Sequence, residues 1–290
     1  MASRSATVGL VAGAGTLPLL LARRLRAQGR RVAAAAIEGH ADPALNAEVD
    51  AIRWVKLGQF KKVLEFLQRQ SAGEAVFIGG IGKSSLWRIR PDALAIRLAL
   101  RLPNLHDDVL LRAIAGEVER LGVVVRGVTD FLPELLAPPG VMTARAPSPE
   151  EWEEIRFGWF CAKELGRLDI GQGVVVRQKV VVAVEAMEGT DAMIARAGGL
   201  LSGGLTLGRR TGPSGVLIKT AKPQQDHRLD LPTIGARTIE GLIRAGIRTA
   251  AVEAGAVMVV DPQTALALAD RHEMAVVALS DGPDGGWPAE

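Results

Sequence analysis

Short apolar runs alternate with amphipathic stretches through the first half of the chain, the pattern of a parallel α/β sheet. Thr7 to Ala12 reads as a strand, Leu17 to Gln28 as a helix and Arg31 to Ile37 as a second strand. Phe60 to Gln70 is a helix leading into the strand Glu74 to Ile78, followed by helices Ala93 to Leu102 and Asp107 to Leu121 and the strand Val123 to Gly127. The proline-rich stretch from Leu136 to Pro149 punctuates the pattern as a linker.

The second half has a different rhythm. Pro149 to Leu165 is expected to be helical, and Gly173 to Glu185 alternates as a hairpin that turns at Gln178 and Lys179. Ala192 to Leu201 reads as a helix, Ser202 to Gly215 as a glycine-rich mobile loop, and Val216 to Thr220 as a strand. Pro232 to Ala245 is predicted as a helix with proline in its first turn. Thr249 to Val260 holds strand on both sides of Gly255, Thr264 to Arg271 is a helix, Ala275 to Leu279 a strand, and the tail from Asp281 is expected to fray. The fold class is therefore α/β: a Rossmann-like parallel-sheet domain over 1–135, a linker over 136–149 and an α/β domain over 150–290.

Composition narrows the function classes. A net charge of +3 with 4% aromatic residues gives no footprint for nucleic-acid binding. The one cysteine, Cys161, excludes an internal disulfide, suits a reducing cytoplasm, and reads as core beside Trp159 and Phe160 rather than as a nucleophile. The apolar run Val8 to Ala22 is broken by Gly13, Gly15 and Pro18 and is followed by basic residues, the reverse of a signal peptide's order. No apolar stretch reaches the length of about 20 residues that crosses a bilayer.

Two glycine-rich turns follow strands of the first half. Gly13-Ala14-Gly15-Thr16-Leu17-Pro18 stands where a dinucleotide motif would, with Pro18 replacing its third glycine and Glu38 at the spacing of a ribose-binding acid. Gly79-Gly80-Ile81-Gly82-Lys83-Ser84 looks like a P-loop, but Phe77 occupies the place of that motif's first glycine. Each can bring main-chain N–H groups toward a phosphate, and each is also an ordinary strand-to-helix turn. His106-Asp107-Asp108 opens a helix, where the acids either cap it or face a ribose or metal.

The richest polar segment runs from Lys219 through Lys222, Gln225, Asp226, Arg228 and Asp230 to Thr233 and Gly235. Cations that clamp phosphate oxygens and a carboxylate that holds Mg²⁺ are the usual parts of a polyanion site. The plainer reading of Asp230 is a turn residue before Pro232. Glu185 to Asp191 and Asp169 to Gly173 carry further acids and Gln172, read from the residues alone as surface turns.

In combination these residues resemble the LpxI-type UDP-2,3-diacylglucosamine pyrophosphatases. The resemblance rests on Gly9 to Pro18, on Asp107-Asp108 with Leu110-Leu111-Arg112, and on Leu168 to Gly173. It continues through Val184 to Met193 and Lys222 to Gly235, and so spans nearly the whole chain. It implies a Mg²⁺-dependent hydrolase of lipid A biosynthesis that splits UDP-2,3-diacylglucosamine into UMP and 2,3-diacylglucosamine 1-phosphate (lipid X), water attacking the β-phosphorus. It also implies a dimer, cytoplasmic and peripheral on the inner membrane, with its site between two domains.

Carried onto this sequence, the resemblance makes Asp230 the essential aspartate, binding Mg²⁺ or placing the water. Lys219, Lys222 and Arg228 then neutralise phosphates. Gly13, Ala14, Gly15, Thr16, Gly79, Gly80 and Ile81 hold substrate by main-chain contacts. Asp107, Asp108, Gln172, Glu188, Thr190, Asp191, Gln225 and Thr233 complete the expected substrate contacts. Helix Ala93 to Leu102, with Arg97 and Arg101 beside leucines, suits either a bilayer surface or a sheet-covering role. An NAD(P)-dependent oxidoreductase using Gly13, Gly15 and Glu38, and a non-catalytic binder of nucleotide-sugar lipids, stand as the alternatives.

Overall fold

A computed structural model describes residues 7–81, 90–102, 107–202, 215–281 and Trp287. It divides into two compact units, Met1–Pro133 with Asp226–Asp230, and Glu134–Gln225 with Leu231–Glu290.

The first unit is built on a five-stranded parallel sheet in the order β3-β2-β1-β4-β5. Its strands are β1 (Thr7–Ala12), β2 (Val32–Ile37), β3 (Ala51–Val55), β4 (Ala72–Ile78) and β5 (Val124–Arg126). Every residue of β2 is buried, as expected of a central parallel strand covered on both faces. Helices α1 (Leu17–Ala27), α2 (Leu45–Glu48), α3 (Phe60–Arg69), α4 (Ala93–Ala99) and α5 (Asp107–Glu119) complete the unit. Val63, Phe66 and Leu67 of α3 pack with Ile114, Ala115 and Val118 of α5 over Ala33, Ala35, Ala75 and Phe77 of the sheet. The sequence pattern missed β3 and α2, because Ala-Ile-Arg-Trp-Val offers neither a clean alternation nor a continuous apolar run.

Strand order reverses between β1 and β4, and in open α/β sheets the crevice at such a point, outside the carboxyl ends of the strands, is where ligands bind. Both glycine turns leave the sheet there.

The second unit carries a six-stranded mixed sheet, β6-β13-β11-β9-β7-β8. Its strands are β6 (Gly140–Val141), β7 (Gly173–Arg177), β8 (Val180–Val184), β9 (Val216–Lys219), β11 (Thr249–Glu253) and β13 (Ala275–Leu279). β9, β11 and β13 run parallel, while β6 and β7 pair antiparallel with β13 and β9. The hairpin turns where predicted, with Gln178 and Lys179 at φ 51° and 58°, the left-handed pair of a type I′ turn.

One face of this sheet is covered by α6 (Pro149–Arg167), whose Ile155, Trp159 and Ala162 pack on Val174, Val216 and Ile218. The other face packs against α7 (Thr190–Ser202), α8 (Ala236–Arg244) and α9 (Pro262–Arg271) through Met193, Ile194, Ile239 and Leu242. Ser148 and Glu151 form a capping box at the start of α6.

Three expectations change. Residues 136–149 are not a free tether: β6 lies among them and Ala137 is 1% exposed within the second unit's core. The helix expected over Pro232 to Ala245 begins only at Ala236, because Thr233–Gly235 forms β10 and pairs in parallel with β12 (Met258–Val260). The β-branched Thr233 and Ile234 prefer that extended ladder. The tail does not fray throughout, since Trp287 packs edge-on against Trp159 with ring centroids 5.5 Å apart. The loop read over 202–215 lies, apart from its end residues, outside the described residues, as do Gly82, Lys83, Ser84 and His106. No helix of the described residues is long and apolar enough to cross a membrane.

Candidate functional site

β1 and β4 end in turns that close on each other. Gly13 N–H donates to Ile78 O (2.8 Å), Ala14 N–H to Gly80 O (2.7 Å) and Gly80 N–H to Ala14 O (3.0 Å). A Cβ on Gly13 would stand 2.6 Å from Gly80 O, and one on Gly79, at φ 89°, 2.6 Å from Ala14 O. Glycine is required here because two backbones touch. The consequence for the sequence reading is specific: the N–H groups of Gly13, Ala14 and Gly80 are already engaged inside the protein. Gly15, at φ 97°, and Thr16, which precedes α1, lie on the side of the turn that leads into the helix.

Beside these turns lies a cavity of about 310 Å³ whose wall is mainly apolar, including Val11, Phe77, Ile81, Leu111 and Ile114. Gly13, Gly79 and Gly80 border it, and so does Asp230. The chain carrying Asp230 reaches this unit as a tight turn. Leu229 N–H and Asp230 N–H both donate to Asp226 O, at 2.9 and 3.2 Å, and Leu229 is buried in the core of the first sheet. Leu229 therefore anchors the turn and leaves Asp230 exposed at the cavity. The expected 150–290 domain is corrected to this extent, since Asp226–Asp230 groups with the first unit.

Arg228 has other work. Its guanidinium grips Asp226 through Nε and Nη2 (3.1 and 2.8 Å) and donates from Nη1 to Glu119 (2.9 Å). These bonds raise the guanidinium's pKa, and the hydrogen bond from Arg228 holds the Asp226 carboxyl below the usual range. Arg228 thus clasps the turn that presents Asp230.

The second unit gathers charge at the carboxyl ends of β9 and β11. Lys219, 4% exposed, donates from Nζ to Thr190 Oγ1 (2.7 Å) and to Thr233 O (2.9 Å). Thr190 Oγ1–H in turn donates to Glu185 Oε1 (2.9 Å), so ammonium, hydroxyl and carboxylate form one directed chain of hydrogen bonds. Glu185 is buried and its Oε2 has no hydrogen-bond partner among the described residues. A Cβ on Gly173 would lie 2.6 Å from that Oε2, and one on Gly171 would lie 1.9 Å from Glu185 O. The glycines flanking Gln172 exist to admit Glu185.

On the α6 side, Lys222 Nζ donates to Asp169 (2.7 Å), and Gln225 Oε1 accepts from Lys222 N–H (3.3 Å). Thr220 Oγ1 and Gln172 Oε1 are buried without a hydrogen-bond partner among the described residues.

The structure thus brings Gly13, Gly79, Gly80, Ile81 and Asp230 to one cavity, and Lys219, Thr190 and Thr233 into one hydrogen-bonded group. It does not bring Glu188 or Asp191 into that group. Glu188 accepts from Arg196 (2.5 Å), which lowers its pKa, and exposed Asp191 pairs with Arg237 (2.8 Å). Asp107 and Asp108 open α5, and their side chains lie outside the described residues. α4 buries Leu94, Ala95 and Leu98, as a sheet-covering helix does. Cys161 is partly buried, and burial raises its thiol pKa, which leaves the thiol in its unreactive form. Among the described residues no group of three His, Cys, Asp or Glu side chains could hold a metal by itself.

Glu185 is the correction that matters most. Read as a surface turn, it is buried because β8's alternation continues through it: Ala183 and Glu185 share the inward face. Glu253, at the end of β11, was missed entirely.

Sequence comparison adds an independent finding. Residues 7–135 match the profile described as LpxI N-terminal domain, and residues 138–277 match LpxI C-terminal domain. A relative from Caulobacter vibrioides, UDP-2,3-diacylglucosamine pyrophosphatase LpxI, is 38% identical over 269 residues, covering 91% of this chain and 94% of its own. Among solved structures, the biotin carboxylase domain of a single-chain bacterial carboxylase aligns at TM-score 0.28 and 12% identity, covering 67% of this chain and 35% of its own. A phosphoribosylglycinamide synthetase from Anaerococcus prevotii aligns at 0.24 and 16%, covering 61% and 32%. Overlaps that loose carry no argument about this chain.

Proposed function

The chain belongs to the LpxI family, and from that premise we propose that it hydrolyses the pyrophosphate bond of UDP-2,3-diacylglucosamine to UMP and lipid X in lipid A biosynthesis. The observation that carries the reading is the pairing of an apolar cavity with a single exposed carboxylate, Asp230, among its lining residues. Acyl chains need apolar volume, and an anhydride needs a group that organises water beside it.

A pyrophosphate repels an incoming nucleophile by its own negative charge, so positive charge must be supplied. This reading assigns that task to Lys219 and Lys222. Lys219 is suited to it: two hydrogen bonds fix its ammonium, and Thr190, one of the two acceptors, is itself held by its bond to the buried Glu185. Asp230 accepts a hydrogen bond from the attacking water and turns its lone pair toward the β-phosphorus.

Mg²⁺ fits the donor set in one way. The ion commonly keeps several waters and takes one or two carboxylates together with substrate phosphates, which a lone Asp230 satisfies and an all-protein cage would not. When bound, it supplies charge neutralisation on the phosphate oxygens. Membrane-surface contact belongs to the same proposal, since a lipid product must return to a bilayer, and a homodimer is carried over from the family resemblance.

The test is incubation with UDP-2,3-diacylglucosamine in ¹⁸O-labelled water, with Mg²⁺ or with EDTA. The expected result is UMP and labelled lipid X with Mg²⁺ alone. Label in UMP would move the attack to the α-phosphorus, and tight binding with no product would make the protein a carrier.

A further inference from the structure

The registers of the second sheet set a row of side chains across three neighbouring strands. Val252 pairs with Lys219 and Lys219 with Gly173, so the adjoining positions Glu253, Thr220 and Gln172 share the face covered by α6. Thr220 N–H donates to Gln172 O (3.0 Å), which fixes the order at the strand ends. Within this row only Glu253 is fully occupied. Its Oε2 accepts from Ala221 N–H (2.8 Å) and its Oε1 from Lys163 Nζ (2.5 Å), whereas Thr220 Oγ1 and Gln172 Oε1 have no hydrogen-bond partner among the described residues.

We propose that Glu253 is a positioning residue: by holding the Ala221 N–H it fixes the path of Thr220 to Lys222, the chain that follows Lys219 and carries Lys222. The inference rests on the reading of those lysines as the cations of a pyrophosphatase.

The carboxylate is itself held. Lys163 also reaches Asp281 Oδ2 (3.3 Å) and lies 5.3 Å from the centre of the Trp159 ring, while Trp159 Nε1 donates to Asp281 Oδ1 (2.9 Å). Trp287 closes the group against Trp159 and Trp152 and donates from Nε1 to Ser280 O (3.0 Å). Asp281 and Trp287 lie beyond residue 277, where the family profile ends. This chain therefore ties Asp281 and Trp287 to the loop that carries Lys222, through a carboxylate on the neighbouring strand.

Lys222 and Gln224 make their own bonds to Asp169 (2.7 Å) and to Gly166 O (3.0 Å). Loss of Glu253 then loosens the loop without releasing it. A shift of about 1 Å in a charged group that meets a transition state lowers turnover by roughly 10- to 100-fold.

The experiment compares Glu253→Ala, Glu253→Gln and Glu253→Asp in the full chain, by steady-state kinetics on UDP-2,3-diacylglucosamine and by amide hydrogen exchange. Glu253→Ala is expected to lose roughly 10- to 100-fold in kcat with KM within about threefold, and the Ala221 amide to exchange at least roughly tenfold faster while Leu217 to Lys219 are unchanged. Glu253→Gln keeps an oxygen for Ala221 and is expected to recover most of the turnover. Should the alanine variant not fold, Glu253→Asp withdraws the oxygen and is expected to give the same split. Exchange at Ala221 is read without substrate, so it separates this proposal from the reading of the reaction: a wild-type chain that cleaves nothing would sink the reaction and leave the exchange result standing. Unchanged Ala221 exchange, kcat within about twofold of wild type in the alanine or aspartate variant, or a glutamine variant no better than alanine would overturn the positioning role.

Discussion

The carboxyl ends of the two sheets solve opposite problems. In the first unit β1 and β4 end in glycines so close that their turns hydrogen-bond each other, and beside them the protein encloses apolar volume with one carboxylate, Asp230, among the lining. In the second unit β9 and β11 end in Lys219 and Glu253, whose charges are held in place: Lys219 by Thr190 and Thr233, Glu253 by the Ala221 N–H and Lys163. One sheet end provides space and the other provides fixed polarity.

Substitutions can break this contrast at either end. The largest effect is expected in the polar region: Lys219→Met removes the donor to Thr190 Oγ1 and to Thr233 O, and turnover should fall by about 10²–10³-fold with a lowered Tm. Gly79→Ala comes next, because a side chain at φ 89° would press on Ala14 O. It should cost about 1–3 kcal/mol, read as a lower midpoint in urea. Leu111→Trp fills part of the cavity and sharpens the assignment of the apolar end. KM should rise by about tenfold for long acyl chains and little for short ones, a difference steady-state kinetics on a chain-length series will show. Arg237→Ala is the smallest: it breaks a pair whose arginine is 87% exposed, and the change should stay below about 0.5 kcal/mol by thermal melting.

Much of this contrast was legible in the sequence, and the reasons are local. β1, β2 and β4 announced themselves as apolar runs, and the hairpin as alternation around Gln178 and Lys179. Gly13 and Gly79 marked close approach, but only the structure reveals that the approach is of one turn to the other. β10 was hidden because Pro232 imitates the first turn of a helix, while its pairing with β12 is a contact distant in sequence. Arg228 looked like a phosphate ligand because its partner Glu119 lies 109 positions away. Asp230 was singled out by its charged neighbours in sequence and by the family resemblance. That Leu229 plants it in the first unit's core could not be read from the chain.

The most direct test pairs binding with turnover in Asp230→Asn. The side chain is exposed and the turn is held by Leu229, Asp226 and Arg228, so the fold should be kept. The account predicts affinity for UDP-2,3-diacylglucosamine within about threefold of wild type and turnover lower by about 10³-fold or more. Turnover within about twofold of wild type would contradict it.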